Sequence, residues 1–223
     1  MITRRRVVLL LGASALSSLA ALAQSPYPAK PIRLVVASSA GSGIDLISRL
    51  VAPSVSQRLG QQVVVDNRAG AGTMIGGEIV AKSAPDGYTL LASVSTLAIN
   101  PAMYKKVPYD ALRDFAPITQ MASLPNVLVV HPSLPAKSVR ELIALAKAKT
   151  GQIVFGSAGN GTSPHLSIEL LLSMTGTRML HVPYKGPTPA LIDLLGGRVS
   201  VVASSSSGVV NHVRFAVVTR SAR

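Results

Sequence analysis

Short apolar runs alternate with stretches of helical periodicity along most of the chain. Ile32 to Ala37 is a near-continuous run rich in β-branched residues, the pattern of a strand covered on both faces. After a Gly/Ser loop, Ile44, Ile47, Leu50, Val51, Val55 and Leu59 recur at helical spacing, with Pro53 a kink point and Gly60 a stop. Val63 to Val65 predicts a second strand, Thr73 to Ser83 a helix, Pro85-Asp86-Gly87 a turn and Tyr88 to Ala92 a third strand. The same grammar restarts at the predicted strand Asn126 to Val130. Ser138 and Glu141 form a capping box for a helix to about Lys149, closed by Gly151. Ile153 to Phe155 predicts a strand, and Ser163-Pro164 caps a helix that reaches about Thr175 and stops at Gly176. Met179 to Val182 and Val199 to Ala203 predict strands on either side of a helix from Thr188 to Leu195. This order predicts an α/β protein of two lobes, each a mainly parallel sheet flanked by helices. The first lobe is expected over 24–124, with 213–223 as the start of a return segment, and the second over 125–212.

Length and composition narrow the classes. A chain of 223 residues, 48% of them hydrophobic, is long enough to bury a core, and the absence of Cys excludes a disulfide framework, a thiolate metal site and a Cys nucleophile. Arg4, Arg5 and Arg6 precede the apolar stretch Val7 to Leu22, and Ala21-Leu22-Ala23 offers a small-x-small cleavage pattern. Residues 1–23 therefore read as an export signal cut before Gln24. The stretch is short, rich in Ala and Ser, and followed by Ser25-Pro26-Tyr27-Pro28, which favours cleavage over a membrane anchor. Thr3 to Leu9 also resembles a twin-arginine signal. Without those three Arg the formal charge of +13 becomes +10. The remaining Lys and Arg are scattered, with Lys105-Lys106 the one adjacent pair, and the few aromatics do not interleave with them. That distribution argues for solvated surface charge and against a nucleic-acid partner.

Two loops carry candidate chemistry, because each follows an apolar strand and opens a helix. The first is Ser38-Ser39-Ala40-Gly41-Ser42-Gly43, with Asp45 in the first helical turn. The second is Gly156-Ser157-Ala158-Gly159-Asn160-Gly161-Thr162-Ser163. Such loops present unpaired N–H groups at the positive end of a helix dipole, so facing each other across a cleft they suit the two ends of a small dicarboxylate. The bland reading of either alone is a tight strand-to-helix turn. Asp45 is explained either by the dipole or by a ligand bearing an ammonium or hydroxyl group. Gly70-Ala71-Gly72-Thr73-Met74-Ile75-Gly76 approaches a dinucleotide fingerprint but has the wrong spacing and no following acidic residue, so it reads as a helix opening with small residues. His131, His165, His181 and His212 lack metal-ligand spacing, and only His165 lies beside a candidate loop. No catalytic residue, metal or cofactor is expected.

Several ordered motifs resemble one family. They are Tyr27-Pro28-Ala29-Lys30-Pro31-Ile32-Arg33, the loop ending Gly43-Ile44-Asp45, Val64 to Gly72, Pro85 to Leu90, Ile99-Asn100-Pro101, Gly156 to Gly159 and His181 to Gly186. From Tyr27 to Gly197 they are similar, in order, to the Bug family, the substrate-binding proteins of tripartite tricarboxylate transporters. The resemblance implies a periplasmic two-lobed receptor, not an enzyme, that closes on a small carboxylate and delivers it to a membrane permease. It places the ligand contacts at Ser38, Ser39, Ala40, Gly41, Ser42, Gly43 and Asp45, at Ser93, Ser95 and Thr96, and at Ala158, Gly159, Asn160, Gly161, Thr162 and His165. Two departures stand out. The aromatic and Pro usual before the first loop's glycines are replaced by Ala37-Ser38-Ser39-Ala40, and the family's long C-terminal return to the first lobe is cut short after Arg214 to Thr219. A truncated member with an incomplete first lobe is expected, which sets an inactive remnant beside the receptor as an alternative. A Ser-dependent hydrolase is a third reading, with no Ser/His/acid constellation in the sequence to support it.

Overall fold

The computed structural model describes residues 27–212 and 217–218, so the expected export signal lies outside the described residues. Two sheets organise the chain. In the first, β1 (Ile32–Val36) lies between β2 (Val63–Asn67) and β3 (Thr89–Ala92), all parallel, with Leu34 opposite Val65 and Leu90. Period-two alternation sends Ile32, Leu34 and Val36 to one face of β1 and Arg33 and Val35 to the other.

Helix α1 (Gly43–Leu59) follows β1. The Ser42 hydroxyl accepts the Asp45 N–H at 3.4 Å to start it, and Gly60, in the left-handed region at φ 66°, ends it. Pro53 is carried inside without breaking it. The helix packs mainly over β2, and Leu50, expected on its apolar face, instead points to solvent at 77% exposure. Helix α2 (Met74–Ala81) covers the other face of the sheet. Its Gly76 lies so close that an added Cβ would stand 2.7 Å from Ala37 Cβ, which is why a residue without a side chain occupies the contact. Helix α3 (Thr96–Met103), with Pro101 inside it, follows β3 directly and was not anticipated from the sequence. From 104 to 125 the chain forms no helix or strand.

The second sheet has the strand order β6 (Leu180–Pro183), β5 (Val154–Ser157), β7 (Val201–Ser205), β4 (Asn126–Val130) and β8 (Val217–Val218). β5 is parallel to β6 and β7, whereas β4 is antiparallel to β7 and β8. The stretch 213–223 was expected to begin a return to the first lobe. Of that stretch the described pair, Val217–Val218, lies antiparallel beside β4, opposite Val127 and Leu128. Both faces of this sheet are packed. On one, α4 (Val139–Ala148) and α5 (Ser163–Thr175) bury Leu142, Ala146, Ile168 and Leu172 against Phe155 and Val201. On the other, α6 (Pro187–Leu195) buries Ala190, Leu191 and Leu194 against Val127, Val129 and Val202. A short helix α7 (Ser206–Val209) follows β7.

The caps agree with the sequence in part. Ser138 accepts the Glu141 N–H at 3.2 Å, but Glu141 reaches back to the Lys137 N–H rather than that of Ser138. The cap of α5 is Thr162, one residue earlier than expected, and its hydroxyl is turned to the Gly159 carbonyl at 2.7 Å. Gly176, at φ 62°, ends α5 as predicted.

Candidate ligand-binding site

The ends of the two sheets open on one cavity of about 790 Å³. Its wall includes Ser38, Ser42 and Gly43 from the loop after β1, Ser93 and Ser95 from the loop after β3, and Ala158 and Thr162 from the loop after β5. The three segments expected to hold a ligand therefore meet. Parallel strands bring them together, because every loop that leaves the same end of a parallel sheet opens at the same edge.

The remaining expected residues are close by but turned elsewhere. Ser39 and Ala40 make the contact between the two sheets' loops: the Ser39 hydroxyl donates to Thr188 Oγ1 at 3.2 Å, and that hydroxyl donates to the Ala40 carbonyl at 2.7 Å. Asp45 is not on the wall. Its carboxylate accepts the Gly41 N–H at 2.8 Å, Asn67 Nδ2 at 2.9 Å and Arg49 Nε at 3.0 Å, and its residue is 2% exposed. Burial works to raise its pKa, but the bonds from Gly41, Asn67 and Arg49 outweigh burial and hold the carboxyl below its ordinary value. With its oxygens committed, Asp45 shapes the first loop rather than facing a ligand. Thr96 is fully buried with its hydroxyl unpartnered.

In the second loop, Gly159 and Gly161 adopt φ of 121° and 74°, conformations that favour glycine. The Gly159 N–H is bonded to Ser157 Oγ at 3.1 Å and the Gly161 N–H to His165 Nδ1 at 3.2 Å. Asn160 faces the first sheet: a Cβ placed on Gly72 would be 3.0 Å from its carbonyl oxygen. His165 lies beneath the loop, its ring stacked on that of His181 with centroids 4.2 Å apart. His181 Nε2 is 2.7 Å from Ser157 Oγ. Ser157 is fully buried, so this Ser–His contact faces the interior and offers no nucleophile to the cavity.

Sequence reasoning missed part of the wall. Lys185 and Gly186, between β6 and α6, and Pro187, the first residue of α6, line it, and Lys185 is the one charged residue among the described lining residues. The signal was available: the run Lys185-Gly186-Pro187 follows a strand and opens a helix as the other two loops do. Gly70 and Thr73 also line the cavity. They belong to a turn, Gly70 to Thr73, with φ of 126°, 47°, 59° and 74°, in which Ala71 and Thr73 bear side chains in a region glycine prefers. The other wall is apolar, formed by Ile32, Leu34 and Leu90 of the first sheet with Ile44, Ile47 and Val55 of α1. Among the described residues no group of three or more His, Cys, Asp or Glu is arranged to hold a metal ion, and no helix is long and apolar enough to cross a membrane.

Residues 47–217 match the model of the tripartite tricarboxylate transporter family receptor. BugT of Bordetella pertussis is 42% identical over 84% of this chain and 58% of its own length. The UPF0065 protein of the tcbD-tcbE intergenic region of a Pseudomonas sp. is 41% identical over 92% of this chain and 61% of its own length. A solved protein of R. palustris, described with adipate, is 36% identical with a TM-score of 0.80, over 83% of this chain and 63% of that one. The chain thus spans about three fifths of the length of the relatives it matches.

Proposed function

The chain belongs to the Bug family, the tripartite tricarboxylate transporter receptors, and on that footing we propose that it is a periplasmic solute receptor. Its two lobes, 24–124 and 125–212, close over a small carboxylate, which is then passed to the family's membrane permease. The observation that supports this most is the wall of the cavity. Three strand-to-helix loops meet there with hydroxyls and helix N-termini, and its one charged described residue is a cation, Lys185. Backbone N–H groups at helix starts and an ammonium group both favour a carboxylate over a neutral or cationic solute. The ligand contacts proposed are Ser38, Ser42, Gly43, Ser93, Ser95, Ala158 and Thr162, with Lys185 added to them. The solved relative that carries adipate is consistent with this class of ligand.

A panel of dicarboxylates, tricarboxylates, amino-acid dicarboxylates and aromatic acids tests the reading by thermal shift. A ligand at a hundred times its Kd stabilises by about 2.7 kcal/mol, which in a chain of this size raises Tm by about 5–10 °C. A flat response across the panel overturns the proposal. Lys185→Met is expected to weaken the best ligand by about tenfold while leaving Tm of the free protein in place, as suits an exposed side chain whose partner is the ligand.

A further inference from the structure

The second loop of the site rests on a feature that a binding role alone does not require. Register in the sheet sets Phe155 beside His181, so both side chains fall on the face that α5 covers. His165, in the first turn of α5, comes down onto the same spot, giving three stacked rings: Phe155 and His181 with centroids 4.6 Å apart, and His181 and His165 at 4.2 Å. Each imidazole then holds one point of the loop above. His165 Nδ1 accepts the Gly161 N–H at 3.2 Å, which leaves its proton on Nε2, 3.6 Å from Glu169 Oε1. His181 Nε2 lies 2.7 Å from Ser157 Oγ, the same oxygen that accepts the Gly159 N–H at 3.1 Å.

We infer that Ser157, His165 and His181 are positioning residues that keep the 157–162 loop in its ligand-binding shape only while both imidazoles are neutral, so that acid releases the loop. The inference rests on the receptor reading for what the loop binds, but the loop's own response does not depend on it. A proton added to His165 falls on Nδ1, where it meets the Gly161 N–H donor to donor. A second charge on His181 would lie one ring-stack away in a buried site. The carboxylate facing the pair is Glu169, one turn further along α5. Tyr184 and its partners Asp193 and Arg198 lie on the opposite face of the sheet, while Arg178 and Lys185 at the two ends of β6 are exposed to solvent. The environment favours the neutral forms: burial lowers His165 below 6.5 against the pull of Glu169, and burial with the neighbouring His165 takes His181 down to about 4. A folded value below the unfolded one means that the contribution is complete above pH 6.5 and is lost as pH falls through the folded values.

The test is an NMR titration of the ligand-free protein, followed through the Gly159 and Gly161 amides. In the wild type both resonances are expected to move with midpoints below 6.5. In His165→Gln, which keeps an acceptor but cannot take the proton, the Gly161 movement should vanish, and in His165→Leu the acid-like position should already be present at neutral pH. A Gly161 titration that persists in His165→Gln, or a wild-type loop that does not move at all, overturns the inference. Calorimetry with adipate supplies the second arm. Affinity should be lower at pH 5 than at pH 7.5 in the wild type by more than the change seen in His165→Gln, the variant that registers adipate's own protonation. A rise in acid would make His165 a cationic ligand contact and overturn it equally. If no carboxylate of the panel binds at either pH, the receptor reading fails while the amide titration still decides the role of the histidines.

Discussion

The two sheets border the same cavity but are held together by opposite means. The second is packed on both faces, with Phe155 and Val201 at the centre of one cluster and Val202 and Leu194 at the centre of the other. The first has α2 over one face, while the β1 and β3 part of the other opens into the cavity through Leu34 and Leu90. Their loops differ in the same sense. The first loop is pinned by a charge, the Asp45 carboxylate with its Gly41, Asn67 and Arg49 partners, and the second by neutral hydroxyls and imidazoles. Apolar packing therefore sets stability on the second side of the site, while polar bonds, charged in the first loop and neutral in the second, set the shape of both.

The largest test of that contrast is a pair of truncations. Phe155→Ala removes a fully buried ring and should cost about 3–5 kcal/mol of unfolding free energy, whereas Leu34→Ala, half-buried against the cavity, should cost about 1 kcal/mol. Equal losses in urea denaturation would erase the distinction between the sheets. Asp45→Ala comes next. It leaves the Gly41 N–H and Asn67 amide without their acceptor and should cost about 2–3 kcal/mol. Its pH signature is distinct. The folded carboxyl lies below 3.8, so the wild-type advantage holds above that pH and closes as pH falls through the folded value, whereas the histidine contribution starts to fall below 6.5. Acid should thus loosen the second loop before the first, a sequence that amide exchange can follow. Smallest is Thr188→Val, which removes the hydroxyl shared by Ser39 and Ala40. About 1 kcal/mol of closure energy is lost with it, to be read as roughly fivefold weaker ligand binding with unfolding little changed.

Much of the fold was legible because its signals are local. The apolar run of β1, the Gly60 stop of α1 and the Gly176 stop of α5 each rest on neighbours in sequence. What escaped depends on contacts between distant residues. The direction of β4 is set by pairing Val129 with Val202, and nothing in either strand alone states it. Helix α3, which carries Pro101, depends on such contacts: Asn100 is buried and its amide donates to the Gly72 carbonyl and the Tyr109 hydroxyl. Of the site, the loops were legible and the orientation of their side chains was not. Asp45 could be placed beside the first loop, but its inward turn needs Asn67, 22 residues away. Nor can a stack of His165 on His181 be read from a separation of 16 positions; it follows from a strand register and a helix docked across it.

The outer strand β6 carries one more consequence. Leu180 and Tyr184 donate their N–H groups inward, to the carbonyls of Ile153 and Ser157, so alternation turns the nitrogens of His181 and Pro183 outward. At Pro183 that nitrogen has no hydrogen to give. A strand only four residues long, ended by such a gap and flanked by the exposed cations Arg178 and Lys185, is a poor template for another chain. The border of the sheet nearest the lysine of the site is thereby guarded against edge-to-edge aggregation.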